Sequence, residues 1–276
     1  MNAIEFNPNK PTLLASGGKE VYIQDLSKNI QQPTVFTPGE PNYHEGSTVT
    51  SISWNRVVPY ILASASNDGT VVVWDLKNSK AIFNFKDPDL VSYTYNPLTG
   101  QTEEKVSANY NIVWNPTAPT TFLISNDNGE NSTMAMWDLR TPDYPVLSLS
   151  DIHNDGITST SWCPHDPSIV ASTSREGRTC YFHAEDGQLL AETPKKYSEI
   201  NWSPHIQGKL IGYDEETNNT EFIDFDKAKK SESATHVPKW LTRPGGACFG
   251  FGGKLVTFNN NQLTLRKVED QTDTLS

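Results

Sequence analysis

Any chemistry in this chain must come from a small set of side chains. His153, His165 and His183 fall in one stretch with Cys163 and Cys180, donors of the kind that hold zinc. Structural zinc sites take their ligands in close pairs, and neither Cys-x-x-Cys nor His-x-x-x-His occurs. The Glu-Glu doublets, Glu103-Glu104 and Glu215-Glu216, sit among turn residues and read as a solvated face, not as a general acid and base. Ser, His and Asp are scattered along the whole chain, so their presence argues for no nucleophilic triad. Gly245-Gly246 and Gly250-Phe251-Gly252-Gly253 lack a following helix pattern and read as turns, not as a phosphate cradle. The expectation is a protein with no catalytic residue, no cofactor, no metal and no small-molecule substrate.

Composition narrows the classes further. The net charge of −11 comes from 33 acidic and 22 basic residues, and the only basic runs are Lys195-Lys196 and Lys227 to Lys230. Phosphate neutralisation needs concentrated Lys and Arg, so nucleic acid is not expected as a partner. A hydrophobic content of 36% with 7 Trp, 10 Tyr and 11 Phe is enough for a large packed core. No leader-like N-terminus and no 18-residue apolar stretch is seen. Three widely spaced cysteines suit reduced thiols in the cytosol.

The elements that position these residues form an internal repeat. Its fullest copy runs from Val49 to Phe85: an alternating segment ending in Trp54, a second at Tyr60 to Ser64, the turn Asn67-Asp68-Gly69, a third ending in Trp74-Asp75, and a fourth at Ala81 to Phe85. Asp-Gly between apolar runs is a strong hairpin signal, because Gly accepts positive φ. Further copies carry Ala3 to Phe6 with Leu13 to Gly17, Asn111 to Trp114 with Phe122 to Ser125, Thr158 to Trp162 with Ile169 to Ser172, and Glu199 to Trp202 with Leu210 to Tyr213. The closing aromatic of the first strand falls at Phe6, Trp54, Trp114, Trp162 and Trp202. Its spacing, near the roughly 40–45 residues of a WD repeat, predicts an all-β WD-repeat β-propeller with five recognisable blades. The longest insertion, Lys86 to Ala108, reads as a loop.

Within WD blades a third-strand Trp, a second-strand Ser or Thr, a His ahead of the first strand and a turn Asp form a buried hydrogen-bonded chain. In the second blade Trp74, Ser64, His44 and Asp68 have those places, while Trp137 and His153 hold the matching positions in later blades. Phe182 replaces the Trp of the fourth blade, so that chain cannot close fully.

The ends depart from a closed ring. The chain enters directly in an innermost strand, without the outer strand that commonly closes a ring, so either the circle closes some other way or, as favoured here, blades are missing upstream. Residues 1–226 are expected to be propeller, 227–239 a charged linker, 240–268 a three-stranded blade-like segment without the WD dipeptide, and 269–276 a polar tail. An isolated sheet of three strands is marginal in water and needs a cover.

That last segment carries a resemblance. Trp240, then Pro244-Gly245-Gly246-Ala247, then Phe249-Gly250-Phe251-Gly252-Gly253-Lys254-Leu255-Val256 resembles the stretch after the propeller in the larger WD-repeat subunit of the COPII vesicle outer coat, the Sec-thirty-one family. Leu14-Ala15-Ser16-Gly17-Gly18, Trp74-Asp75-Leu76-Lys77 and Trp137-Asp138-Leu139-Arg140 resemble its blades. The resemblance implies a non-enzymatic coat scaffold in ER-to-Golgi transport, on the cytosolic face of the endoplasmic reticulum and its vesicles. Contact with the membrane would be indirect, through the inner coat. It also implies that the five blades are part of a seven-bladed ring, and a heterodimer within a coat cage, in which the segment inserts as a seventh blade into an open six-bladed WD-repeat partner. Trp240, Phe249, Phe251, Leu255, Val256, Phe258, Leu263 and Leu265 would then meet the partner, with Gly252 and Gly253 as the turn. The alternative is a cytosolic adaptor that reads peptides on its top face and keeps 240–268 as its own degenerate last blade.

Overall fold

The structure, a computed structural model, describes residues 3–27, 34–35, 43–86, 92–96, 101–105, 109–129, 132–149, 152–228, 247–250, 254–259 and 262–267. Its architecture is all-β, five blade-like sheets in a propeller arrangement. The first blade comprises β1 (Ala3–Phe6), β2 (Leu13–Gly17), β3 (Val21–Asp25) and β4 (Thr34–Val35). The second comprises β5 (Val49–Trp54), β6 (Ile61–Ser66), β7 (Thr70–Asp75) and β8 (Lys80–Lys86). A hairpin of β9 (Ser92–Asn96) and β10 (Gln101–Lys105) follows. Blade three is β11 (Tyr110–Trp114), β12 (Thr121–Asn126), β13 (Met134–Asp138) and β14 (Leu147–Ser148). Blade four is β15 (Ile157–Trp162), β16 (Ile169–Ser174), β17 (Thr179–His183) and β18 (Leu189–Thr193). Blade five is β19 (Glu199–Trp202), β20 (Lys209–Asp214) and β21 (Asn219–Asp224). In each blade the strands lie in chain order, paired antiparallel.

Two elements differ from the sequence reading. The Lys86 to Ala108 insertion, read as a loop, contains the β9–β10 hairpin, with Ser92 paired to Lys105 and Asn96 to Gln101. Tyr93, Thr94 and Tyr95 favour strand, and Asn96 to Gly100 has turn composition, so the hairpin follows from local preference. In blade five the chain after β21 turns into the short helix α1 (Phe225–Ala228). Phe225 packs with its ring centroid 5.1 Å from Tyr181 and 5.7 Å from Trp202. It closes the outer part of the seam between blades four and five.

Alternation along each strand sends one set of side chains to the preceding blade and the other to the following one. Four apolar cores result, one per seam: Val49, Trp54, Leu62 and Trp74 against blade one; Val71, Val73, Trp114 and Phe122 between blades two and three; Leu123, Trp162 and Phe182 between three and four; Tyr181, Trp202 and Leu210 between four and five. Packing is close enough that Gly212 has no room for a methyl group: a Cβ there would lie 2.5 Å from the Tyr197 ring. At the blade-two turn Gly69 takes φ of +79°, the conformation that a residue with a Cβ resists.

The seams are also stitched by hydrogen bonds from the innermost strands. Trp54 Nε1 donates to the Glu5 carbonyl at 3.1 Å, Trp114 Nε1 to the Ser53 carbonyl at 3.1 Å, and Trp202 Nε1 to the Ser161 carbonyl at 3.1 Å. Backbone N–H groups on the same strands reach side chains of the blade before. Ile112 N–H meets Ser51 Oγ at 3.2 Å, Ile200 N–H meets Ser159 Oγ at 3.1 Å and Trp202 N–H meets Ser161 Oγ at 3.2 Å. Asn7 and Asn55 add a staple beyond the strand end, each donating its amide at 2.8 Å to a proline carbonyl of the next blade, Pro59 and Pro119.

In the first seam a carboxylate plays the part of the serine: Trp54 N–H donates to Glu5 Oε2 at 2.6 Å. Burial pushes the Glu5 carboxyl up to about 7, against the attraction of Arg56 and the Trp54 N–H. The folded protein therefore holds a proton here that the unfolded chain releases near 4.5, and this contribution to stability is lost as pH rises from 4.5 through 7. Glu5→Gln keeps an acceptor without the charge. It should match the parent in urea midpoint below pH 4.5 and exceed it by about 1–2 kcal/mol of unfolding free energy above pH 7.

Candidate functional site

The polar chain of blade two is complete and buried. Trp74 Nε1 donates to Ser64 Oγ at 2.8 Å, and Ser64 Oγ lies 2.8 Å from His44 Nε2. His44 Nδ1 lies 3.0 Å from Ser66 Oγ, which donates to Asp68 Oδ1 at 2.5 Å. The four residues singled out from sequence are thus brought together, with Ser66 inserted between His44 and Asp68. Sequence reasoning did not single out Ser66 because the rule calls for one second-strand hydroxyl, and Ser64 already filled that place. Burial holds the His44 imidazole down to about 4 despite the nearby Asp68. Its neutral ring is a relay between hydroxyl groups on β6, a structural role.

Blade four builds a variant of the same chain. His153 Nε2 lies 2.7 Å from Ser172 Oγ, and His153 Nδ1 lies 3.0 Å from Glu176 Oε1. Phe182 has no N–H to add, so the chain ends at the serine. Glu176 replaces the turn aspartate, and burial pushes His153 down while Glu176 opposes it. In blade three Trp137 belongs to the apolar core instead, 4.6 Å from Phe85 and 6.1 Å from Phe83 between ring centroids.

The residues that could have suggested zinc are not gathered into one site. His153 sits in its hydrogen-bonded chain, His183 Nδ1 lies 3.2 Å from Asp186, and Cys163 and Cys180 are free and buried. Burial pushes the Cys180 thiol up to about 11 and raises Cys163 as well, so both stay protonated and poor as ligands. Among the described residues no cluster of three or more His, Cys, Asp or Glu could hold a metal ion. No helix among them is long and apolar enough to cross a membrane.

The remaining candidate is the C-terminal sheet of β22 (Ala247–Gly250), β23 (Lys254–Asn259) and β24 (Gln262–Lys267), antiparallel and in chain order. Its register pairs Phe249 with Leu255, Cys248 with Val256, Val256 with Leu265, and Phe258 with Leu263. Of the residues expected to meet a partner, Phe249 lies in β22, Leu255, Val256 and Phe258 in β23, and Leu263 and Leu265 in β24. Trp240, Phe251, Gly252 and Gly253 lie outside the described residues. The sheet has the strand number and order of blade five.

Comparison with known proteins fits this geometry. The family model for the WD domain, G-beta repeat, matches residues 39–75, the second blade with its approach. The chain is 28% identical to "Protein transport protein SEC31" of Dictyostelium discoideum over 95% of its own length, and 31% identical to the protein of that name from Chaetomium globosum, again over 95%. It spans about a fifth of the length of these relatives, 22% and 21%. Among solved structures, a chain of "COPII on membranes, outer coat vertex" superimposes with a TM-score of 0.67 at 23% identity, covering 96% of this chain and 71% of that one. "The structure of the COPII coat assembled on membranes" gives the same score and identity over 40% of its chain. The chain is thus similar to the SEC31 proteins along nearly its whole length and shares the fold of the coat chains.

The blade-two chain yields a direct test. Ser64→Ala removes the partner of both Trp74 Nε1 and His44 Nε2 and should lower unfolding free energy by about 2–3 kcal/mol, read from the urea midpoint. The unfolded imidazole accepts a proton near 6.5 and the folded one only near 4, so stability present above pH 6.5 is lost as pH falls through that window. His44→Gln should abolish this share of the acid loss, seen as a parent-minus-variant difference in midpoint that shrinks from pH 7 to pH 4.

Proposed function

We propose that this relative of the SEC31 proteins is a non-enzymatic scaffold segment of a COPII outer coat, acting in protein transport. The observation that carries the reading is the extent of the similarity, 95% of the chain. A WD propeller alone would be compatible with many adaptor roles. The added three-stranded sheet, in register from Ala247 to Lys267, is the feature that sets this chain apart from a simple propeller.

The mechanism follows from strand chemistry. A three-stranded sheet has two open backbone edges and apolar faces and is marginal in isolation. An open six-bladed propeller presents the complementary vacancy, a gap between two blades. Seating one in the other satisfies backbone N–H and C=O groups and buries apolar surface in the same event. The chain would work on the cytosolic face of the endoplasmic reticulum and on vesicles, reaching the membrane through inner-coat subunits. Trp240 and Phe251, with the Gly252-Gly253 turn, belong to the same proposed contact.

Association with a purified six-bladed WD-repeat coat subunit tests this. The full chain should form a 1:1 heterodimer by size-exclusion chromatography with light scattering. Deletion of residues 240–268 should weaken it by at least roughly 100-fold, the scale expected when a complete blade is lost. Binding that survives the deletion would overturn the donation mechanism.

A further inference from the structure

Exposed apolar side chains are spread unevenly over this protein. Of seven large ones among the described residues, five fall in connections between the first and second or the third and fourth strands of a blade, all in blades one to three. Antiparallel order puts both kinds of connection at the same end of a blade, and the bonds from Asn7 to Pro59 and from Asn55 to Pro119 align these ends across the seams. The five therefore share one face of the propeller. Exposed apolar groups that gather in this way mark an interaction surface.

Two parts of this face differ in charge. In blade two Val57 and Tyr60 are 46% and 42% exposed, and Lys77 Nζ stands 5.8 Å from the centre of the Tyr60 ring. The two connections there, residues 55–60 and 76–79, contain Arg56 and Lys77 and no carboxylate. Asp75 beside them is buried, its oxygens taken by the Lys77 N–H at 3.0 Å and the Asn78 amide at 2.7 Å. Blade three carries the opposite kind of surface. Its connection from β13 to β14 is pinned by bonds from Leu139 N–H to the Thr120 carbonyl, from Thr141 N–H to the Asp138 carbonyl and from Val146 N–H to the Met136 carbonyl, at 2.7 to 2.9 Å. Arg140 grips Asp138 through Nε at 3.0 Å and Nη2 at 2.6 Å, which leaves the charge of the turn to Asp143. Pro142 and Pro145 bracket Asp143 and Tyr144, and fixed proline φ angles lower the entropy lost on docking. On this rigid turn Tyr144 is 63% and Val146 53% exposed.

We propose that these are the two halves of one contact between copies of this chain. The Asp143-Tyr144 turn of one copy seats on the blade-two patch of a second copy, with Tyr144 against Val57 and Tyr60 and Asp143 beside Lys77. Both halves lie on the same face. Two copies placed face to face about a two-fold axis therefore make the contact twice, and the assembly closes at a dimer. Opposite local charges select this face, because two chains of net charge −11 repel over most of their surfaces. The contact uses the propeller alone and stands whether or not the C-terminal sheet is donated to a partner.

Sedimentation velocity on the full chain over roughly 1–100 μM tests it. The parent should pass from monomer to dimer across this range and grow no further. Tyr144→Ala removes the exposed ring without touching a core, so the urea midpoint should hold while the dimer dissociation constant rises at least roughly tenfold. Asp143→Lys and Lys77→Glu should each weaken the dimer by roughly fivefold. The double variant Asp143→Lys with Lys77→Glu restores opposite charges across the two-fold and should return to within roughly twofold of the parent. A parent that stays monomeric, or one that grows beyond a dimer, would overturn the proposal. So would a dimer indifferent to Tyr144→Ala, or a double variant no tighter than the two single ones.

Discussion

An innermost propeller strand has a strand neighbour on one side only, and its other backbone edge must be satisfied from the adjoining blade. This constraint organises the chain more firmly than the apolar cores do. It explains why residues one and three places before the closing aromatic are hydroxyl-bearing in blades two and four. Their side chains stand where the next blade's N–H groups need acceptors, at 3.1 to 3.4 Å. It also explains the tryptophan that ends the strand. Its ring fills the seam core while its indole N–H donates across the seam at 3.1 Å in three of the four seams.

The seam between blades three and four shows what happens when the pattern fails. Blade three has Asn111 and Val113 at the acceptor positions, and valine accepts nothing. Trp162 turns its indole to the Pro167 carbonyl of its own blade, at 2.8 Å. Other bonds replace the missing ones: Asn111 Nδ2 donates to Thr158 O at 3.0 Å, Ser125 Oγ meets Thr160 Oγ1 at 2.8 Å, and Ser132 Oγ donates to Asp155 O at 3.0 Å. Arg175 adds a charged clasp on Asp127 at 2.6 Å, and the same carboxylate accepts the Asn109 backbone N–H at 2.6 Å. Close approach there leaves no space for a side chain on Gly156, where a Cβ would lie 2.7 Å from the Asp127 carbonyl. A seam can thus be rebuilt from loop contacts while the apolar core of Leu123, Trp162 and Phe182 keeps its place.

The repeat was legible because its signals are local and periodic. Alternation, Asp-Gly turns and a terminal aromatic specify a blade without reference to any neighbour, and the five blades lie where those signals put them. Trp74, Ser64, His44 and Asp68 were legible for the same reason. What sequence did not disclose depends on contacts between elements. Ser66 enters the blade-two chain through its distance to His44, and Glu176 serves blade four because a longer side chain reaches from the same turn. Phe225 looks like the end of a strand in one dimension. Its place against Tyr181 and Trp202 is visible only once two blades are side by side. The β9–β10 hairpin was hidden by the reverse error, since a long insertion rich in turn formers was read as structureless although its Tyr and Thr residues favour strand.

Blade order gives the acceptor positions a direction. Each innermost strand offers its side-chain acceptors forward and takes hydrogen bonds from the blade behind, so a row of blades has a donor end and an acceptor end. In blade five the same two positions, three places and one place before Trp202, hold Glu199 and Asn201. The acceptor is a serine hydroxyl in blades two and four and a glutamate in blade one, where Glu5 takes the Trp54 N–H at 2.6 Å. A carboxylate also accepts more strongly than a hydroxyl, but it carries a desolvation cost when the face is covered. Glu5 shows both sides of this balance, accepting the Trp54 N–H at 2.6 Å while burial pushes its carboxyl up to about 7.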